Sequence, residues 1–149
     1  MSAITSSLNE LIETLKDGQM GFGEAQKDTT DPNLKLVFSE YSAQRASFVT
    51  ELERFVSKEG VLPEDSGSVA GSLHRGWINL KATVSSREDL AILEECERGE
   101  DSAVETYEDA ISAGALGQAE SVVVAQLTKI RAAHDRVRGL RDSFDATGR

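Results

Sequence analysis

The residues best suited to chemistry fall in two short runs, Cys96-Glu97-Arg98-Gly99-Glu100 and Arg131-Ala132-Ala133-His134. Glu97 and Glu100 are three residues apart and interrupt an otherwise apolar helical row, so both carboxylates project from one face of that helix. Carboxylates and an imidazole in a dry interior are donors for a metal centre. If cations face them instead, they become members of an ion-pair network. Cys96 is the single cysteine, which excludes an intramolecular disulfide and reads as a buried, inert thiol outside any oxidising compartment. His74 lies beside an amphipathic stripe containing Trp77 and reads as a hydrogen-bonded packing residue. No glycine-rich phosphate loop and no nucleophile with an adjacent base accompany these groups.

The elements that must position them are helical. Two prolines, 5% aromatic residues and abundant Ala, Leu, Glu, Ser and Arg suit helices better than sheet. A chain of 149 residues fits one domain and buries roughly 70% of the surface exposed when unfolded. The net charge of −10, from 16 basic and 26 acidic residues, argues against nucleic acid, whose binding depends on cations that neutralise phosphates. No stretch reads as a membrane span or a secretory leader, so a cytoplasmic protein is expected. A second copy of the chain or another protein is the expected partner, with neither nucleic acid nor membrane.

Apolar or small residues at Ile4, Leu8, Leu11, Leu15, Gly18, Phe22 and Ala25 predict a first helix over residues 3–28. Gly18 costs ~1 kcal/mol of helix propensity relative to Ala, which implies a close helix or a bulky neighbour opposite it. Asp31-Pro32 reads as an N-cap and first helical residue. The second helix carries Leu34, Phe38, Tyr41, Arg45, Phe48, Leu52 and Phe55 on one stripe and ends near Lys58. Arg45 is the odd member, a guanidinium on a core face that must reach solvent or a carboxylate. After a turn over 62–67, Val69, Leu73, Trp77, Leu80 and Val84 predict a short extra helix. A third long helix is expected over 87–112, a break at 113–117, and a fourth helix over 118–142 with Val123, Leu127, Ile130, His134 and Val137 inward.

The two halves repeat. An offset of 81 places Ile12 on Leu93, Leu15 on Cys96, Gly18 on Gly99 and Gln19 on Glu100. An offset of 86 places Ser42 on Thr128, Arg45 on Arg131 and Phe48 on His134. Two helical hairpins joined by a long connection make an all-α four-helix bundle with one crossover, along which the short extra helix would lie.

Arg98-Gly99-Glu100 followed by Tyr107, then Arg131-Ala132-Ala133-His134, resemble the third and fourth helices of rubrerythrin-type ferritin-like proteins. The whole chain also resembles an uncharacterised bacterial four-helix-bundle family of that superfamily, which implies a ferritin-like up-down bundle with no established activity and a stress-related role. In ferritin-like proteins a Gly-Glu step and a Glu-x-x-His step supply ligands to a di-iron centre. Carried over, the first-helix carboxylate is Gln19, the second-helix pair is Arg45 and Phe48, the third-helix carboxylate is Glu100, and the fourth-helix pair is Arg131 and His134.

Only Glu100 and His134 keep ligand chemistry, and two guanidinium groups reverse the local charge. The expectation is therefore a centre without metal or cofactor, filled by a polar core cluster of Gln19, Arg45, Glu97, Glu100, Arg131 and His134. A non-catalytic helical module follows from that composition. The competing expectation is a metal-binding oxidoreductase or storage protein with a relocated site built from Glu100, His134 and Glu97 or Glu24. A third reading takes Arg45 and Arg131 as a receptor for a small carboxylate or phosphate.

Overall fold

A computed structural model describes residues 3–58 and 89–146 of the chain. They form four long helices: α1 (Ala3–Asp28), α2 (Pro32–Lys58), α3 (Asp89–Ala113) and α4 (Glu120–Ala146). A 3-10 turn, Gly117–Ala119, leads into α4. The expected extra helix, His74, Trp77 and the start of the third helix before Asp89 lie outside the described residues.

Local chemistry explains the helix ends. Asp31 caps α2, its Oδ1 accepting the Asn33 and Leu34 amides at 2.8 and 3.1 Å, while Pro32 takes the first helical position. Lys35 donates back to the carbonyl of Gln26 at 3.0 Å, satisfying the C-terminal turn of α1. Between α3 and α4 the chain reverses through Gly114 and Gly117, both at positive φ (69° and 56°). At Gly117 a Cβ would also come within 2.8 Å of Ile4 Cδ1, a movable side-chain end, and the positive φ is what favours glycine at that corner.

Cross-helix contacts define the topology. Gly18 and Gln19 meet Arg45 and Ser42, so α1 and α2 run antiparallel. Tyr107 meets Gln126, and Asp101 meets His134, so α3 and α4 do too. Asp89 at the start of α3 accepts hydrogen bonds from Thr29 at 2.6 Å and Thr30 at 3.0 Å, just past the end of α1. The α1/α3 pair is therefore antiparallel and α2 runs parallel to α3. The order is up-down-down-up, and Lys58 and Asp89 stand at opposite ends of the bundle.

The interior consists of two apolar clusters stacked along the bundle. One gathers Leu8, Leu11, Ile12, Leu15, Phe48, Leu52, Tyr107, Val123, Leu127 and Ile130. The other gathers Phe22, Leu34, Phe38, Tyr41, Ile92, Leu93, Cys96 and Val137. In sequence, Gly18 falls between the two groups on α1, Arg45 on α2 and Glu100 on α3. That layer is the seam.

Burial also sharpens the repeat. The offset of 81 matches buried residues with buried residues, Leu11 with Ile92, Leu15 with Cys96 and Phe22 with Ala103. For α2 and α4 the matching pairs are Phe38 with Val123, Tyr41 with Gln126, Phe48 with Ala133 and Leu52 with Val137, an offset of 85. The residue equivalent to Arg45 is thus the buried Ile130, and Arg131 is turned about 100° away.

Candidate functional site

At the seam, the α2 stripe carries Arg45 inward and the α3 stripe carries Glu100 to meet it. Arg45 is 1% and Glu100 0% exposed. Nη1 donates to Oε1 at 2.5 Å and Nη2 to Oε2 at 2.7 Å, a two-pronged pair that uses both carboxylate oxygens. Arg45 Nε donates to Gln44 Oε1 at 3.2 Å, and the guanidinium carbon sits 5.4 Å from the Phe22 ring centre. Opposite, Gly18 packs against the side chain, and a Cβ there would rest at ordinary contact distance, 3.5 Å from Arg45 Nη1 and 3.6 Å from Cγ.

Electrostatics keep this layer closed. Burial works against the Arg45 charge, but the facing carboxylate outweighs it and holds the guanidinium pKa above its ordinary value. Burial, with the neighbouring Glu100 and Glu95 charges, pushes the Cys96 thiol well up, so it is no nucleophile at neutral pH. Tyr107 is likewise pushed up, chiefly by burial, while Arg45 opposes the shift and Glu51 adds to it. Its hydroxyl donates to Gln126 Oε1 at 2.7 Å, and Gln126 Nε2 donates to Glu51 Oε1 at 3.0 Å. A saturated ion pair, a protonated thiol and a protonated phenol offer no poised acid, base or attacking group.

The expected six-residue cluster separates in space. Arg45 and Glu100 form the core pair. Arg131 is no core member: about half exposed, it pairs with the similarly exposed Glu108, because α4 turns Ile130 rather than Arg131 inward. The two-arginine anion receptor is therefore not assembled. Gln19 is half-buried, and its backbone carbonyl accepts the Ser42 hydroxyl at 2.9 Å. Glu97 and His134 sit together near the surface, with side chains 12% and 13% exposed. Glu100 turns both oxygens to Arg45, whereas the carboxylates beside His134 are Glu97 and Asp101. Glu24 stands half-exposed beside Lys27 at 3.7 Å.

Around His134 the structure adds residues that sequence reasoning missed. Asp101 lies one turn after Glu97 on α3, its Oδ1 2.5 Å from His134 Nε2. Arg141, two turns after His134 on α4, pairs with Glu97 Oε1. Asp135 Oδ1 lies 3.2 Å from His134 Nδ1. The spacings of four from Glu97 to Asp101 and seven from His134 to Arg141 carry that signal, because each keeps its residues on one helical face.

None of the described helices is long and apolar enough to cross a membrane. Residues 3–113 match a family described as a domain of unknown function, DUF2383, a stretch that contains both Arg45 and Glu100. No curated protein matches the chain.

Proposed function

The chain belongs to the DUF2383 family, and we propose that it is a non-catalytic ferritin-like helical bundle in which a structural Arg/Glu pair stands where a di-metal centre would otherwise sit. The observation that carries this reading is the Arg45–Glu100 pair, wholly buried, with both carboxylate oxygens bonded to both terminal guanidinium nitrogens. A carboxylate held this way already has its charge balanced by two charge-assisted hydrogen bonds, and the guanidinium repels a cation from the same space. The up-down-down-up order supports the ferritin-like part, because it is the order that one long crossover between two hairpins produces. The protein acts in the cytoplasm through its surface, with a second copy or another protein as partner. Its single buried thiol suits a reducing compartment.

Crystals grown with Fe2+ or Mn2+ test the reading. Arg45 and Glu100 are expected to stay paired, with no metal density between Glu100 and His134. Density there, with the ion pair opened, would overturn it.

A further inference from the structure

A second set of metal-ligating atoms lies beside the centre. Glu97 and Asp101 occupy one face of α3, His134 reaches them from α4, and one donor atom from each lies within 4.8 Å of the others. His134 Nε2 is shielded from solvent and has no hydrogen-bond partner. It nevertheless stands 2.5 Å from Asp101 Oδ1 and 3.9 Å from Glu97 Oε2. Nδ1, on the far side of the ring, lies 3.2 Å from Asp135 Oδ1. With Nδ1 turned to Asp135, the imidazole aims Nε2 at two carboxylate oxygens. At that spacing a positive charge must lie among the three atoms, either a proton on Nε2 or a bound cation.

We propose that Glu97, Asp101 and His134 bind a divalent first-row transition-metal ion, with its remaining positions open to water. An imidazole with two carboxylates is a mixed N/O donor set, which favours Zn2+ and its neighbours over the all-oxygen preference of Ca2+ and Mg2+. Asp135 supplies the outer carboxylate that metal-bound histidines characteristically hold, fixing the tautomer that leaves Nε2 free. Arg141 engages Glu97 Oε1 and leaves Oε2 facing the imidazole. Donors about 2.0–2.2 Å from an ion stand roughly 3–3.5 Å apart, so Asp101 must back away and Glu97 close in by less than a side-chain rotation allows. Asp101 is 63% exposed and can make that movement. An open cleft of about 330 Å³, lined by Glu94, Glu97, Arg98, Asp101 and Arg141, reaches two of the three ligands. Glu100 takes no part, so this site stands or falls separately from the reading of the bundle centre.

The test is calorimetric titration of the full chain with Zn2+ after chelator treatment and buffer exchange. The wild type is expected to take up one equivalent. Asp101→Asn and His134→Ala are each expected to weaken binding by at least about tenfold. Glu108→Gln, at the exposed pair elsewhere on α3, is expected to bind like the wild type. Asp101 is exposed, so its variant keeps the test valid even if His134→Ala folds poorly. Absence of a one-equivalent binding event in the wild type, or equal binding by the Asp101→Asn variant, would overturn the proposal.

Discussion

Arg45 and Glu100 meet across the seam between the two apolar clusters, each terminal guanidinium nitrogen donating to its own carboxylate oxygen. The contact joins the first hairpin to the second through residues 55 positions apart. Taking two charges out of water costs several kcal/mol per ion before their attraction is counted, so the pair is a poor source of net stability. Its physical consequence is specificity of register. Pulling Arg45 and Glu100 out of register would leave two unpaired charges in the interior.

Arg131 gives a contrasting expectation. Its pair with Glu108 is about half exposed on both sides, where ion pairs contribute ~0–1 kcal/mol. Arg131→Ala should change unfolding free energy by no more than about 0.5 kcal/mol in urea titrations followed by circular dichroism. A loss near 3 kcal/mol would mean that Arg131, not Ile130, points into the bundle.

Gly18 is expected to tolerate one methyl and no more. An alanine Cβ would sit at ordinary contact distance from Arg45, 3.5 Å from Nη1 and 3.6 Å from Cγ. Helix propensity favours Ala by up to ~1 kcal/mol, so Gly18→Ala should be neutral or stabilising in thermal melts. Gly18→Leu should lose about 1–3 kcal/mol, because the larger side chain competes for the volume Arg45 fills.

Alkaline pH should unfold the protein through its buried weak acids. Burial raises Cys96 above its ordinary value of 9.0 and Tyr107 above 10.0. The unfolded chain therefore releases these protons first as pH climbs, the native state holds more protons, and stability falls with rising pH. The decline should begin near pH 9 and reach up to about 1.4 kcal/mol per pH unit for each group. Denaturant midpoints for Cys96→Ala should fall less steeply between pH 9 and 10 than those of the wild type. The native thiol should also resist thiol-reactive reagents at neutral pH.

The fold was largely legible in the residues. Apolar spacing defined the four helices, with α1 spanning the same residues as expected from the Ile4-to-Ala25 stripe. Asp31-Pro32 marked the start of α2, and Arg45 on a core stripe announced a buried charge in need of a carboxylate. The site was only half legible. Arg131 and Arg45 share a residue type and nearly equivalent positions, but a one-residue error in a helical alignment rotates a side chain by about 100°, and identity alone cannot detect that. The inward row of Val123, Leu127 and Ile130 already held that signal, and the burial of Ile130 bears it out. His134 was expected with both Glu97 and Glu100. The same α4 rotation brings it to Glu97 and Asp101, a grouping fixed by how two helices pack rather than by either helix alone.

The central claim, that Arg45–Glu100 is a structural closure of the bundle centre, is tested most directly by comparing urea unfolding of Glu100→Gln with that of the double variant Arg45→Met/Glu100→Leu. Removing one charge strands the other, so Glu100→Gln should lose about 3–5 kcal/mol. The double variant replaces both partners with apolar side chains in an apolar seam and should return to within about 1 kcal/mol of the wild type, or exceed it. Equal, large losses in both variants would contradict the account, as would a Glu100→Gln variant as stable as the wild type.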